Sequence, residues 1–539
     1  MEKKSKKTFF GILKLSERLY LACLISFGIF IYYITLGINL PYVGPNATNF
    51  NIYSLIASNY NKFGFLNVKF GQIVSISKTL PLNPQYYLHH PPFISIVEAI
   101  LFKIFGESFT TGRISVILFS ILSSILIFLI GKKIKNIKYA YISLMVYCFI
   151  PASSVFGKMV GQEPLVLFFS LLATYSLVNY LNNKGLIYLI LLFLSIILGT
   201  LSDWPMVYFS IILSIHLFLN RRYYLGILLM VISFLTAAIF LLDIFLLLHS
   251  FSDLLSAFTT RSTGLLLKTP CWIVLWPTVI FIRFNVYFTP TLTILAFVYF
   301  LKSYIFRKKN DNKIGLIILL YFVFGLIHVL LYLEGSFGHP YWIYYFIPFI
   351  VFSSSSILYK LYLNHKYFLI LLLAIPNIYF FIKVENWKIN ELKANLWRYD
   401  IAKKIDTEYL SPYEKISINK DSFVDPDMFM YQFKHEVLIA DPKDLNLTAS
   451  YTNHYIYSCS NDCLNNKYFN LLLKNRMYKK EIFDQGIVYV FSLKNKTNNK
   501  LIYNSVKTQN NINETSINNN NTIKNIYNYL LVKLHMSQL

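Results

Sequence analysis

Six side chains stand out for what they could do together: His89, His90, Glu163, Asp203, Glu334 and His339. A carboxylate can hold or accept a proton, and an imidazole can do so near neutral pH. All six border long apolar stretches, where burying charge is expensive and ionisable groups tend to be functional. Placing the Lys/Arg-rich turns in the cytoplasm puts all six on the opposite face, at or near helix ends.

The sequence Tyr86-Tyr87-Leu88-His89-His90-Pro91-Pro92 closes a long polar loop. Pro92 suits the first turn of a helix, which would set two imidazoles at a positive helix end, a place that attracts a phosphate or diphosphate. The same pair also reads as interfacial histidines capping a helix. Glu163, before Pro164, starts an apolar run, where an acid is favoured by the helix dipole. Asp203 lies in Ser202-Asp203-Trp204-Pro205 and could equally cap the helix that follows. His339 lies in Gly338-His339-Pro340-Tyr341-Trp342. Each residue has a structural reading on its own. Their gathering on one face points to a site.

The elements that must position them are transmembrane helices. Of 539 residues, 55% are hydrophobic and 14% charged, against about 25% charged in soluble domains; the mean hydropathy is +0.49. About eleven apolar stretches are long enough to cross a bilayer. The lysines at 3, 4, 6 and 7 place the N-terminus inside as a retained anchor, and the first span, about Leu19–Leu36, exits. The large first outer loop, 37–112, contains Pro92–Phe105, too short for a ~20-residue crossing and read as an interfacial helix. Counting it as a span would put the basic turn at Lys132, Lys133, Lys135 and Lys138 outside. The next spans are Gly112–Ile130, Tyr139–Val155, Pro164–Leu181 and Leu186–Leu201. A second outer segment, His249–Asn285, holds an interfacial or re-entrant piece near Trp272–Ile282. Basic turns at Arg221 and Arg222, at Arg307, Lys308 and Lys309, and at His365 and Lys366 fall inside.

This division gives a transmembrane domain over 1–383, a small extracytoplasmic α/β domain over 384–493, and an Asn/Lys-rich tail over 494–539. Strand-like runs at Glu414–Ile418, Glu436–Ala440 and Gly486–Leu493, with a helix-like stretch at Glu391–Thr407, carry the α/β reading. The net charge of +24 fits cytoplasmic turns, anionic membrane lipids or a phosphate-bearing substrate; without a basic–aromatic module it gives no nucleic-acid partner. Cys23, Cys148 and Cys271 read as packing residues. Cys459 and Cys463 could pair outside the cytoplasm, and their spacing equally suits two free thiols. Sequons such as those at Asn446 and Asn513 are expected by chance in so Asn-rich a chain.

Over roughly residues 15–380 the chain resembles the polytopic GT-C glycosyltransferases, which include protein O-mannosyltransferases and lipid A aminoarabinose transferases. The resemblance rests on His89-His90-Pro91-Pro92, on Phe105-Gly106 followed by Arg113, on Phe156-Gly157 leading to Glu163-Pro164-Leu165, and on Gly338-His339-Pro340-Tyr341. It implies a mainly α, polytopic bundle of GT-C type. It also implies transfer of a sugar from a polyprenyl-phosphate donor on the extracytoplasmic face of the cell membrane, with inversion. In these relatives a first-loop carboxylate sits about four residues before a Tyr like Tyr53. Here that position is Asn49, whose amide cannot act as a base, and no Asp or Glu lies between Leu36 and Pro92.

The leading expectation is a membrane glycosyltransferase acting on a lipid, glycan or protein acceptor. Glu163 is the first choice for the catalytic carboxylate and Asp203 the second. His89 and His90 would hold the leaving phosphate, with Arg113 nearby. Asn49 and Tyr53 would line the acceptor side, and His339 would close the donor side. A phosphate leaving group needs charge neutralisation more than protonation. Glu163, Asp203 and a His could ligate a divalent cation, and none is expected. The alternatives are a transporter or flippase for an isoprenoid-linked or other anionic substrate, and an inactive GT-C scaffold. Polar residues gathered at one interface rather than mid-span, and the lack of a clear repeat, favour the enzyme.

Overall fold

The computed structural model describes the residues from Leu15 to Leu493 other than 45–46, 184, 264–266, 268–270, 306–311, 420–421, 423, 425, 443–450, 460–466 and 485. The N-terminal lysines, the turn at Arg307, Lys308 and Lys309, Cys463, both sequons and the tail lie outside the described residues.

Seven described helices are long and apolar enough to cross a membrane: Glu17–Thr35, Phe109–Ile134, Glu163–Asn182, Tyr223–Leu248, Ile314–Leu331, Pro340–Leu363 and Tyr367–Tyr409. Trp272–Tyr287 and Pro290–Ser303, bent by 113°, make an eighth if counted as one span. Ile137–Cys148, Leu186–Ser202 and Pro205–Leu219 are shorter and also apolar. The chain is an integral, multi-pass membrane protein. Eleven crossings are the sequence expectation; the long helices supply seven or eight.

Pro92–Phe105 is a helix over Phe93–Phe105, with Ile94, Ser95, Glu98, Ala99 and Phe102 on its buried face. The expected span Tyr139–Val155 needs correction. It is two helices, Ile137–Cys148 and Pro151–Val155. Pro151 has no N–H to continue the ladder and pushes Ile150 into an extended conformation, observed at φ −93°, ψ 116°. The Ser153 hydroxyl lies within hydrogen-bond reach of the Tyr147 and Ile150 carbonyls at the break. The piece expected near Trp272–Ile282 extends to Tyr287. A side-chain cap starts the helix Ile137–Cys148, Asn136 accepting from the Tyr139 N–H at 3.0 Å; at the start of Phe109–Ile134, Ser108 accepts from the Thr111 N–H at 3.1 Å in the same way.

The chain divides into two compact units. The first holds residues up to 40, 56–72 and 86–391; the second holds 41–55, 73–85 and the chain from 392. In the second, five strands form a mixed sheet in the order β2-β1-β3-β5-β4: β1 Lys415–Ile418, β2 Glu436–Ile439, β3 His454–Cys459, β4 Tyr478–Phe483 and β5 Gly486–Ser492. β1 runs parallel to β2 and β3, and β5 antiparallel to β3 and β4. Alternation along β5 feeds two cores. Val488 and Val490 join Ile401, Ile405, Ile416 and Phe429, while Tyr489 and Phe491 join Tyr455, Tyr457 and Phe469. Cys459 is disulfide-bonded; Cys23, Cys148 and Cys271 are free.

Candidate active site

His90 is the hub of the first unit's polar cluster. Its Nδ1 lies 2.8 Å from Asp203 Oδ1, and its Nε2 lies 2.9 Å from Arg261 Nη1. A guanidinium only donates and a carboxylate only accepts. The imidazole is therefore neutral, with Nδ1–H donating to Asp203 and the Nε2 lone pair accepting from Arg261. Burial holds its pKa below the ordinary histidine range; Asp203 opposes that shift and Arg261 adds to it.

The surrounding fold fixes this ring. Gln72 Nε2 donates to the His90 carbonyl at 2.5 Å, and Trp204 Nε1 donates to the His89 carbonyl at 2.9 Å. Tyr87 stacks on His90, with ring centroids 6.2 Å apart. Leu88 is buried against Phe240 and Ile244. Asp203 ends the helix Leu186–Ser202, immediately ahead of Pro205–Leu219. Its Oδ1 also accepts from the Trp204 N–H at 2.8 Å. His89 is pushed down to about 4 by burial, with Arg261 and His90 adding and Asp253 opposing.

Glu163 begins the helix Glu163–Asn183 and is buried, 7% exposed. Its Oε2 has no hydrogen-bond partner among the described residues. The carboxylate lies within electrostatic reach of Asp203 and Arg261. Of the expected residues, the structure thus gathers His90, Asp203 and Glu163 in one electrostatic neighbourhood, with His89 beside Arg261.

The other candidates have different surroundings. Arg113 is buried, and its guanidinium donates to the Ile38 and Leu40 carbonyls at 2.9 and 2.5 Å. His339 is exposed and stacks on Tyr341, with centroids 5.2 Å apart. Asn49 and Tyr53 belong to the second unit, where Tyr53 is buried. Glu334 lies in the first turn of a short helix, Leu333–Gly338. Among the described residues, no three His, Cys, Asp or Glu side chains are arranged to hold a metal ion, so Glu163, Asp203 and a His do not form such a set.

Sequence reasoning missed Arg261, His328 and Arg283. Arg261 lies on the helix Ser252–Ser262; a cation in a segment assigned to the side opposite the basic turns was the available signal. His328 is buried, shares a hydrogen bond with the Tyr208 hydroxyl, and is ringed by Tyr332, Trp342 and Tyr345 at 4.8–5.7 Å. Arg283 donates to the carbonyls of Ser336, Phe337 and His339 and so holds the turn that carries His339.

Residues 89–248 match the dolichyl-phosphate-mannose-protein mannosyltransferase family, a stretch that includes His89, His90, Glu163 and Asp203. The structure is similar to that of ArnT from Cupriavidus metallidurans bound to undecaprenyl phosphate. The TM-score is 0.59 at 11% identity, covering 89% of this chain and 98% of that one. The chain has the GT-C fold. A second GT-C similarity is to the archaeal oligosaccharyltransferase AglB from Archaeoglobus fulgidus in complex with an inhibitory peptide and a dolichol-phosphate. There the TM-score is 0.54 at 12% identity, over 89% of this chain and 74% of that one. A comparison with curated proteins finds no match.

Proposed function

We propose that this GT-C chain is a membrane glycosyltransferase that moves a sugar from a polyprenyl-phosphate donor to a lipid, glycan or protein acceptor, on the extracytoplasmic side of the cell membrane. The observation that carries the reading is the Asp203–His90–Arg261 chain, with the buried Glu163 carboxylate within electrostatic reach of its two ends; His90, Asp203 and Glu163 lie in the stretch that matches the mannosyltransferase family. A polyprenyl phosphate leaves as an anion, and a guanidinium oriented by a neutral imidazole is suited to receive it.

In this mechanism the acceptor hydroxyl attacks the anomeric carbon as the bond from that carbon to the phosphate oxygen breaks. Polyprenyl phosphate takes the bonding electrons, and the hydroxyl proton passes to Glu163. Inversion at carbon follows from one displacement. Arg261 faces the phosphate; His90 carries the Asp203 interaction to Arg261 and fixes its direction. His89 and His339 stand on the donor side. Asn49 and Tyr53 are assigned to the acceptor by the GT-C resemblance, and Glu163 takes the carboxylate role that Asn49 cannot fill. Arg113 holds the residues that follow the helix Leu15–Thr35, through the Ile38 and Leu40 carbonyls.

The test is acceptor-dependent release of polyprenyl phosphate from a panel of polyprenyl-phosphate sugars by the purified chain in lipid nanodiscs. The glycosyltransferase reading expects release with at least one sugar. A chain that relocates the intact donor across liposomes without breaking the sugar–phosphate bond is a transporter instead.

A further inference from the structure

An ion pair of the first unit, Lys158 with Glu385, lies outside the cluster around His90. The Lys158 ammonium donates to the carbonyls of Tyr33 at 2.9 Å and Leu36 at 3.2 Å, where the helix Leu15–Thr35 ends. It also lies 3.9 Å from Glu385 Oε2 on the helix Tyr367–Ala394. Glu385 is 1% exposed, and its Oε1 accepts from the Ser154 hydroxyl. Three segments far apart in sequence therefore meet at this one ammonium: the end of the helix Leu15–Thr35, the helix Tyr367–Ala394, and the stretch that follows Pro151–Val155.

That stretch leads directly to Glu163. Residues 156–162 are irregular, yet all but Lys158 are buried, whereas irregular segments normally run over the surface. The path has no slack. A Cβ at Gly157 would collide with the Ser153 carbonyl, and the Gly157 carbonyl accepts from the Ser120 hydroxyl at 2.8 Å. A Cβ at Gly161 would lie 2.6 Å from Glu163 Oε2, so the backbone lies directly against the carboxylate. A shift of the segment is passed to Glu163 without an intervening flexible group. Buried ion pairs are weak contributors to net stability, and apolar replacements often match them. Fixing one geometry is the use such a pair can serve.

We propose that Lys158 and Glu385 are positioning residues, which set the buried segment 157–162 and through it the orientation of the Glu163 carboxylate. The inference rests on Glu163 being the reacting carboxylate. Misplacing a reacting group by about 1 Å can cost on the order of 10²-fold in rate, so the pair governs turnover without touching substrate.

The test uses dicyclohexylcarbodiimide, which adds to a protonated buried carboxyl and leaves a stable N-acylurea countable by peptide mass spectrometry. The full chain in nanodiscs is compared with Lys158→Met, Glu385→Gln and Lys158→Arg across pH. The expected result is a several-fold change in the labelling rate at Glu163 and a moved pH midpoint in Lys158→Met and Glu385→Gln. Lys158→Arg, which keeps the charge and the carbonyl bonds, restores the wild-type profile. An unchanged Glu163 profile in Glu385→Gln overturns the proposal, as does a change in Lys158→Met that Lys158→Arg fails to rescue. Should Lys158→Met not fold, Glu385→Gln and Lys158→Arg decide. Full turnover by Glu163→Gln would remove the underlying reading whatever the labelling shows. An inactive Glu163→Gln beside an unaltered Glu385→Gln profile would remove the positioning inference alone.

Discussion

Both units contain short histidine–carboxylate pairs, and their surroundings separate them. In the second unit His435 Nε2 lies 2.6 Å from Asp406 and its Nδ1 lies 3.3 Å from the Glu414 carbonyl, so acceptors enclose both nitrogens of a fully buried ring. His454 lies 2.7 Å from Glu414, which also accepts from the Ser411 N–H. These pairs tie β-strand ends to neighbouring loops and helices. In the first unit, His90 sits between an acid and a cation, and within electrostatic reach of both lies the buried Glu163, whose Oε2 has no hydrogen-bond partner among the described residues. A pair enclosed by acceptors stabilises. A pair that relays to a guanidinium next to an unsatisfied carboxylate has something left to bind.

The largest effect expected from this contrast is at Glu163. Glu163→Gln keeps the volume and removes basicity, and kcat should fall by about 10²–10⁴-fold, with Asp203→Asn less damaging. Steady-state transfer with a verified donor and acceptor measures both. If Asp203→Asn costs more, the roles of the two acids are reversed.

Next comes donor affinity. His90→Ala leaves Arg261 without its orienting acceptor, and binding of a polyprenyl-phosphate sugar should weaken by roughly 10- to 100-fold, the worth of a hydrogen bond to a charged group. Arg261→Ala should match it. Equilibrium binding to nanodiscs reads this, and wild-type affinity in both variants would return His90 to a capping role.

A smaller effect concerns pH. In the folded chain burial pushes His89 down to about 4 and lowers His90 likewise, while an unfolded histidine titrates at ~6.5. Between those values the unfolded chain binds more protons, so stability falls as pH falls through the window. The melting temperature of the solubilised protein should drop on acidification from pH 7 and level off above it. His89→Gln with His90→Gln should flatten that slope, and a slope unchanged in the double variant would contradict the assignment.

The smallest effect on chemistry is expected in the second unit. His435→Ala should leave turnover intact while costing about 1–3 kcal/mol of stability from buried groups left unpaired, read by denaturant unfolding. A loss of kcat without loss of stability there would erase the contrast between the units.

The residue types at the centre of the site were legible in the sequence, because a bilayer makes every ionisable group near a span conspicuous. Their partnerships were not. His90 and Asp203 lie 113 residues apart, and His90 and Arg261 lie 171 apart; only packing brings them together. Arg261 is the single cation of the helix Ser252–Ser262 and belongs to no motif, and Lys158 and Glu385 gave no local pattern. In the second unit, β1, β2 and β5 were legible from their apolar runs. β3, His454–Cys459, was missed because its run is buried on both faces and shows no polar–apolar alternation, and β4, Tyr478–Phe483, because a charged edge strand lacks clean alternation. The break at Pro151 was written in the sequence, but an apolar run reads as a continuous span when its proline is ignored.

The central claim is that the leaving phosphate binds at the His90–Arg261 end of the first unit. Its most direct test is photolabelling of the purified chain with a photoactivatable polyprenyl phosphate, followed by peptide mapping. The account predicts label on peptides containing His89–His90 and Arg261, displaced by unlabelled polyprenyl phosphate and lost in His90→Ala. Label confined to the peptides of 392–493, or insensitive to competition, would contradict it.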